Sequence, residues 1–225
     1  VSTAVIVFAK APLPGLAKSR LAPALGASGA ARLAERMLNH TLAQAVAAGI
    51  GPVELCAAPD AAHPSLRVAA EACGATLADQ GPGELGERMH RALARLLGLH
   101  AGALLAGTDA PALDAAMFRQ AARALDRHDA VFVPALDGGY VLVGLKRAEP
   151  RCFAGMAWSH CRVMQDTRER LRAAGLRWAE LAPVADIDEP ADLAQLPAGW
   201  AGGLARSAGS CLPAGVPATH TGAFR

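Results

Sequence analysis

Short apolar runs alternate with helix-length amphipathic segments along most of this chain, and few folds accommodate that alternation. TAVIVFA (3–9) reads as a buried strand. SGAARLAERMLNHTLAQAVAAG (28–49) reads as a helix, with Leu33, Met37, Leu38, Leu42 and Val46 mostly three or four residues apart and Gly49 at its end. The rhythm repeats as a strand at 53–58, a short helix around 64–73, a strand at 75–80, a helix at 84–100, a strand at 102–107, a helix at 112–128 and a strand at 130–135. It then changes to a strand rich in branched residues at 138–146, a helix at 164–175, a strand at 176–182 and a final short helix at 189–196. Strands separated by helices of this length predict an α/β fold whose mostly parallel sheet is covered on both faces. Such sheets take ligands outside the carboxyl ends of their strands, so functional residues are expected directly after strands.

Composition narrows the class of protein. A length of 225 residues suits one generous domain or two small ones. The hydrophobic fraction of 52 % is inflated by alanine, and no run approaches the roughly 20 apolar residues of a membrane-spanning helix. The run AVIVFA is too short for a signal segment and has no basic residue before it. A net charge of +2 supplies no field for nucleic acid or anionic lipid. Cys56, Cys73, Cys152, Cys161 and Cys211 are odd in number and form no CxxC pair. That pattern disfavours a zinc site or a disulfide framework and fits a reducing compartment. A cytoplasmic protein with neither nucleic-acid partner nor membrane span is expected. Residues 197–225 are rich in Gly, Ala, Pro and Ser and contain no acidic residue. They read as a poorly ordered tail after a single domain over 1–196.

Three strand-end loops carry charge. FAKAPLPGLAKSRL (8–21) holds two of the three lysines, Lys10 and Lys18, with Arg20, Pro12, Pro14 and Gly15. It is not a Walker A loop, since Pro12 and Ala17 stand at the glycine positions, and Gly15 alone makes no dinucleotide fingerprint. Cations beside backbone N–H groups suit a di- or triphosphate; a solvated basic loop has the same composition. GTDAP (107–111) places Thr108 and Asp109 past a buried strand, with Pro111 expected to start the next helix. Asp109 can serve a hard divalent ion, which takes one or two carboxylates plus water and phosphate oxygens, or it can cap the helix. VADIDEPADL (184–193) offers Asp186 and Asp188 on one side of an extended segment, with Asp188 either a second ligand for the same metal or a helix cap.

Two further loops lie at predicted strand ends. DQGPGELGERM (79–89), with Gly83 and Gly86, runs into a helix start that could present N–H groups to a base or phosphate. ALDGGYVLVGL (135–145) carries Asp137, Gly138 and Gly139, either a close approach to ligand or an ordinary turn. Ser159 in AWSH (157–160) lies in no G-x-S-x-G elbow, so hydrolase chemistry is not supported.

The ordered set FAKAPLPGLAKSRL, QGPGELGERM, GTDAP, ALDGGYVLVGL, AWSH and DIDEPADL resembles a bacterial family of uncharacterised, glycosyltransferase-like proteins (DUF2064-like) of the nucleotide-diphospho-sugar transferase (GT-A) superfamily. The resemblance spans residues 3–196 and extends distantly to phospholactate guanylyltransferase and molybdenum-cofactor nucleotidylyltransferases. It implies a three-layer α/β/α Rossmann-like GT-A fold. It also implies a nucleotide or nucleotide-sugar held by Ala9, Lys10, Gly15, Lys18, Ser19 and Arg20, with Gly83, Gly86, Thr108, Asp137, Gly138 and Gly139 nearby. Mg²⁺ or Mn²⁺ is implied at Asp109 and Asp188, with Lys18, Arg20 and Asp109 as the catalytic set. Ser19, Ala110 and His160 depart from the family's usual Thr, Cys and Thr. The family's description favours glycosyl transfer to a small acceptor, whereas D-A-P in place of D-x-D favours nucleotidylyl transfer. A non-catalytic nucleotide-binding module is the third reading.

Overall fold

The first strand, β1 (Thr3–Lys10), lies inside a seven-stranded sheet and is paired on both sides by parallel neighbours, which is why its sequence is almost continuously apolar. The computed structural model describes residues 2–200, 202 and 204. The remaining strands are β2 (Val53–Ala58), β3 (Thr76–Asp79), β4 (Gly102–Ala106), β5 (Ala130–Pro134), β6 (Tyr140–Leu145) and β7 (Trp178–Glu180). Their spatial order is β3-β2-β1-β4-β6-β5-β7. Of these seven strands only β6 runs antiparallel to its neighbours, β4 and β5. The reason is local: a tight turn joins β5 to β6 with no helix between them, and such a link permits antiparallel pairing only. That turn therefore sits at the same edge as the carboxyl end of β4.

Among the described residues five helices cover the sheet: α1 (Ala22–Ala48), α2 (Pro64–Cys73), α3 (Leu85–Leu97), α4 (Ala115–Ala124) and α5 (Val163–Ala173). The chain enters α1 through a first turn that carries Pro23, and Gly26 (φ 72°) then breaks the helix before its regular part. Gly49 ends α1 in the left-handed conformation that suits glycine (φ 64°). Leu38, Leu42, Leu66 and Phe118 from α1, α2 and α4 pack with Val5, Leu55, Leu104 and Val131 on one face. Met89, Leu93, Met164 and Leu171 from α3 and α5 pack with Ile6, Leu105, Phe132 and Val143 on the other. The expected three-layer α/β/α fold with a mostly parallel sheet is the observed one. The segment expected as a last helix is a 3₁₀ turn over Pro190–Gln195.

A third, smaller core joins Leu21, Leu33 and Met37 to Ile187, Trp200 and Leu204. The Arg36 guanidinium lies 4.7 Å from the Trp200 ring centroid, and His40 meets that ring edge-on at 5.1 Å. Packing thus continues past Leu196, where the tail was expected to begin; residues 205–225 of that tail lie outside the described residues. No helix among the described residues is long and apolar enough to cross a membrane.

One buried charge bears on stability. Glu54 on β2, its side chain 8 % exposed, accepts two hydrogen bonds from Arg95 of α3, at 2.5 and 2.6 Å. The carboxylate raises the Arg95 pKa through these bonds, against the opposing effect of burial. Arg95→Ala would strand the carboxylate in the core and is expected to cost about 2 kcal/mol, the lower side for a broken buried pair because Arg95 itself stays partly in solvent. A urea melt at neutral pH reads it. An unchanged midpoint would show that Glu54 is solvated through the gap.

Candidate functional site

The loop after β1 turns at Gly15 (φ 81°) and closes into a 3₁₀ turn over Ser19–Leu21. Its hydrogen bonds run from the Leu16 and Ala17 amides to the Leu13 carbonyl, and from the Leu21 amide to the Lys18 carbonyl. Lys18 adopts a left-handed backbone (φ 49°, ψ 44°), uncommon for a residue with a side chain. That geometry accompanies an inward-pointing side chain. Lys18 Nζ lies 2.5 Å from Asp109 Oδ1 and 2.6 Å from Asp188 Oδ1, and it donates to the Ile187 carbonyl at 2.7 Å. Burial alone would lower the Lys18 pKa, but the charges of Asp109 and Asp188 more than offset it, and the ammonium is held above its usual value. The loops are locked together by backbone as well, since the Ile187 amide donates to the Asp109 carbonyl at 2.8 Å. Leu21 and Ile187, next in sequence to the loops that carry Lys18 and Asp188, are both buried in the third core.

Asp109 is no helix cap. Helix α4 starts at Ala115, later than the expected 112, and Asp114 caps it by accepting from the Met117 amide at 2.8 Å. Pro111 lies in the preceding turn, closed by the Leu113 amide on the Ala110 carbonyl. Asp109 Oδ1 instead meets Lys18, and Asp109, Asp137 and Asp186 line a cavity of about 120 Å³ floored by Gly107, Ala135 and Val141. Asp186 is half-buried, and burial together with the nearby Asp137 pushes its pKa up to about 6. Sequence reasoning placed Asp186 in the D-x-D segment without assigning it to the site; the D-x-D spacing itself was the signal.

The other expected residues separate into three groups. Lys10, Gly15, Ser19 and Arg20 are exposed at and beyond the carboxyl end of β1. Ala9 is buried, its carbonyl accepting from the Gln80 side chain at 3.0 Å. Thr108 is half-buried between Gly107 and Asp109.

The glycine pair at 138–139 is a turn. Asp137 Oδ1 accepts from the Gly139 amide at 2.8 Å, and the close approach at Gly138 (φ 95°) is made by the Cys161 carbonyl, so that space is filled by the chain itself. Gly86 lies within α3, where a Cβ would meet the Phe153 carbonyl at 2.7 Å and Trp158 at 3.0 Å. Its missing side chain serves helix packing, and the Glu84 amide at the start of α3 is taken by the Glu87 carboxylate at 3.0 Å.

Gly83 lines a separate and larger cavity, about 580 Å³, at the carboxyl ends of β2 and β3. Asp60, Asp79 and Arg88 line it too, none of which sequence reasoning singled out. One Asp60 oxygen accepts from the Ala62 amide and one Asp79 oxygen from the Ala61 amide. Arg88 donates to Gln80 Oε1 at 2.7 Å. Asp79 ends β3 and stands one residue before the end expected for that strand, so its position at the sheet edge was legible; the cavity beside it was not.

Among the described residues no group of three or more His, Cys, Asp or Glu is arranged to hold a metal. The two expected ligands do converge on one cation, the Lys18 ammonium, and they offer only carboxylate oxygens. Such a donor pair fits Mg²⁺ or Mn²⁺ completed by water and phosphate oxygens.

Fold and strand-edge charge together define a chain of the nucleotide-diphospho-sugar transferase-like Rossmann class. Residues 41–160, more than half of the chain, match the family described as "Uncharacterized protein conserved in bacteria (DUF2064)", and the protein belongs to that family. A structure from Desulfovibrio desulfuricans G20, provisionally assigned as a nucleotide-diphospho-sugar transferase, is 29 % identical with a TM-score of 0.76 over 84 % of each chain. The 4-diphosphocytidyl-2C-methyl-D-erythritol synthase of Anaerococcus prevotii DSM 20548 is 12 % identical, with a TM-score of 0.59 over 86 % of this chain and 95 % of that one. Glucosyl-3-phosphoglycerate synthase of Mycobacterium tuberculosis, in complex with Mn²⁺, UDP and glucosyl-3-phosphoglycerate, is 11 % identical, with a TM-score of 0.52 over 86 % and 75 %. At such identities the last two show the shared fold alone. No curated protein matches the sequence.

Proposed function

We propose that the protein is a divalent-metal-dependent transferase that binds a nucleotide-sugar along the carboxyl edge of the sheet and moves its glycosyl group to a small acceptor. The observation that carries this reading is the convergence of Asp109 and Asp188, from loops after β4 and β7, on one cation position beside the basic loop after β1. The two carboxylates would hold Mg²⁺ or Mn²⁺, which supplies charge neutralisation at the departing diphosphate. Arg20 and Lys10 reach the phosphates from the exposed side of the β1 loop, with Ser19 and the backbone around Gly15 close by. Lys18 adds a cation where negative charge develops. The cavity walled by Gly83, Asp60, Asp79 and Arg88 has the size and mixed lining for the nucleoside end. The free thiols of Cys56, Cys73, Cys152 and Cys161 agree with a reducing cytoplasmic setting.

A second reading, nucleotidylyl transfer from an NTP, draws support from Asp109 standing alone before Ala110 and Pro111, with its partner carboxylate on a distant loop. Thermal-shift measurement with NTPs and nucleotide-sugars, with and without Mg²⁺ or Mn²⁺, tests the common core of both. Saturation at about one hundred times Kd adds about 2.7 kcal/mol, a rise of roughly 5–10 °C for a chain of this size. The rise should require metal and nucleotide together. No metal-dependent stabilisation by any nucleotide would end the transferase reading, and pyrophosphate release with an acceptor would select the nucleotidylyl route.

A further inference from the structure

The position between Asp109 and Asp188 already holds a cation, and that cation belongs to the chain. An ammonium has three N–H donors. Those of Lys18 face Asp109 Oδ1 at 2.5 Å, Asp188 Oδ1 at 2.6 Å and the Ile187 carbonyl at 2.7 Å. Three protein oxygens thus already surround the ammonium, two of them as hydrogen-bond acceptors. The side chain is only 9 % exposed, and the backbone at Lys18 is left-handed, a conformation that persists where surrounding contacts over-determine it. Lys18 in this arrangement cannot do what a phosphate-binding lysine does, and a divalent ion cannot enter between the same two oxygens while the ammonium remains.

We propose that Lys18 is a built-in competitor for the metal: its ammonium fills the cation position between Asp109 and Asp188 and leaves it when the metal arrives with a nucleotide, turning to the phosphates. The proposal rests on Asp109 and Asp188 being the metal carriers. Two cations within bonding distance of the same oxygens repel strongly in a partly buried site, so exchange is required. The donors released need new acceptors, and phosphate oxygens supply them. The loop is built for a confined movement. Gly15 has open space around it, whereas Leu21 is anchored beside Ile187 in the third core. Only the segment between them has to turn. Metal and nucleotide then bind with positive coupling, each removing the obstacle to the other, and metal alone binds weakly.

The test uses the full chain and Mn²⁺ alone as probe, with free Mn²⁺ read by electron paramagnetic resonance. Lys18→Met, of similar length and without charge, is expected to bind Mn²⁺ at least tenfold more tightly than the wild type, while Asp109→Asn loses Mn²⁺ binding. Unchanged affinity in Lys18→Met with loss in Asp109→Asn would overturn the competitor role and leave the metal assignment standing. Wild-type affinity in Asp109→Asn would overturn the metal assignment, and the competitor with it. Removing a nearby charge could tighten Mn²⁺ binding without any exchange, so a second measurement is made on wild-type protein, independent of how the variant folds. Saturating Mn²⁺ with a nucleoside diphosphate should raise hydrogen exchange of the Ala17 and Leu21 amides, which now bond to Leu13 and Lys18 carbonyls, at least tenfold. Unaltered protection would mean that Lys18 stays where it is, and the proposal fails.

Discussion

Asp109→Ala is expected to lower transferase turnover by about three orders of magnitude and to abolish the metal-dependent part of any nucleotide-induced thermal shift, on the scale seen when one preorganised electrostatic group is removed. The fold should barely register the change. Asp109 supports no helix, because Asp114 caps α4, and its backbone carbonyl, which holds the Ile187 amide, remains in place. Its side chain is about half exposed. Lys18 keeps Asp188 and the Ile187 carbonyl as partners, so a loss of about 1 kcal/mol is the reasonable size. Activity and stability thus separate, and steady-state turnover beside a urea melt shows whether they do. If turnover and metal dependence survive intact, Asp109 serves only to seat Lys18, and any metal binds elsewhere.

Much of this site was legible before any coordinates, because strand-end placement is a strong constraint. Lys18, Asp109 and Asp188 follow separate strands, and a mostly parallel sheet must bring such residues to one edge. The contacts they make there were not legible. Nothing in AKSRL says that Lys18 turns inward while Ser19 and Arg20 stay exposed; that depends on Leu21 finding Ile187 far along the chain. Pro111 was a sound helix-start signal that failed, because Asp114 offered a better cap three residues on. Glycine was the least readable residue. Gly86 and Gly138 carried the same composition signal as Gly15, yet they accommodate Trp158 with Phe153 and the Cys161 carbonyl respectively. The boundary at Leu196 missed Trp200, a lone aromatic in a Gly/Ala-rich stretch whose burial against Arg36 and His40 is a tertiary fact.

That difference between glycines sets the second large effect. Gly138→Ala is expected to destabilise the protein by about 3–4 kcal/mol, a fall in Tm of roughly 10 °C. Two costs add. At φ 95° any side chain pays about 1–2 kcal/mol, and the new Cβ would overlap the Cys161 carbonyl, an overpacking of about 1–3 kcal/mol. The backbone has little room to relieve the overlap. The Gly138 amide donates to the Ala135 carbonyl at 3.2 Å, and its own carbonyl accepts from the Met164 amide at the start of α5 at 2.8 Å. Movement there would shift Asp137 in the small acidic cavity, so metal-dependent nucleotide binding should weaken along with stability. Gly15→Ala provides the contrast: φ is 81°, but nothing lies within 4 Å of the added methyl. It bears the backbone cost alone, about 1 kcal/mol. Parallel thermal melts of the two variants separate strain from collision. Equal losses would show that the β5–β6 turn yields to the methyl group, and that the Cys161 contact is not what demands glycine at this position.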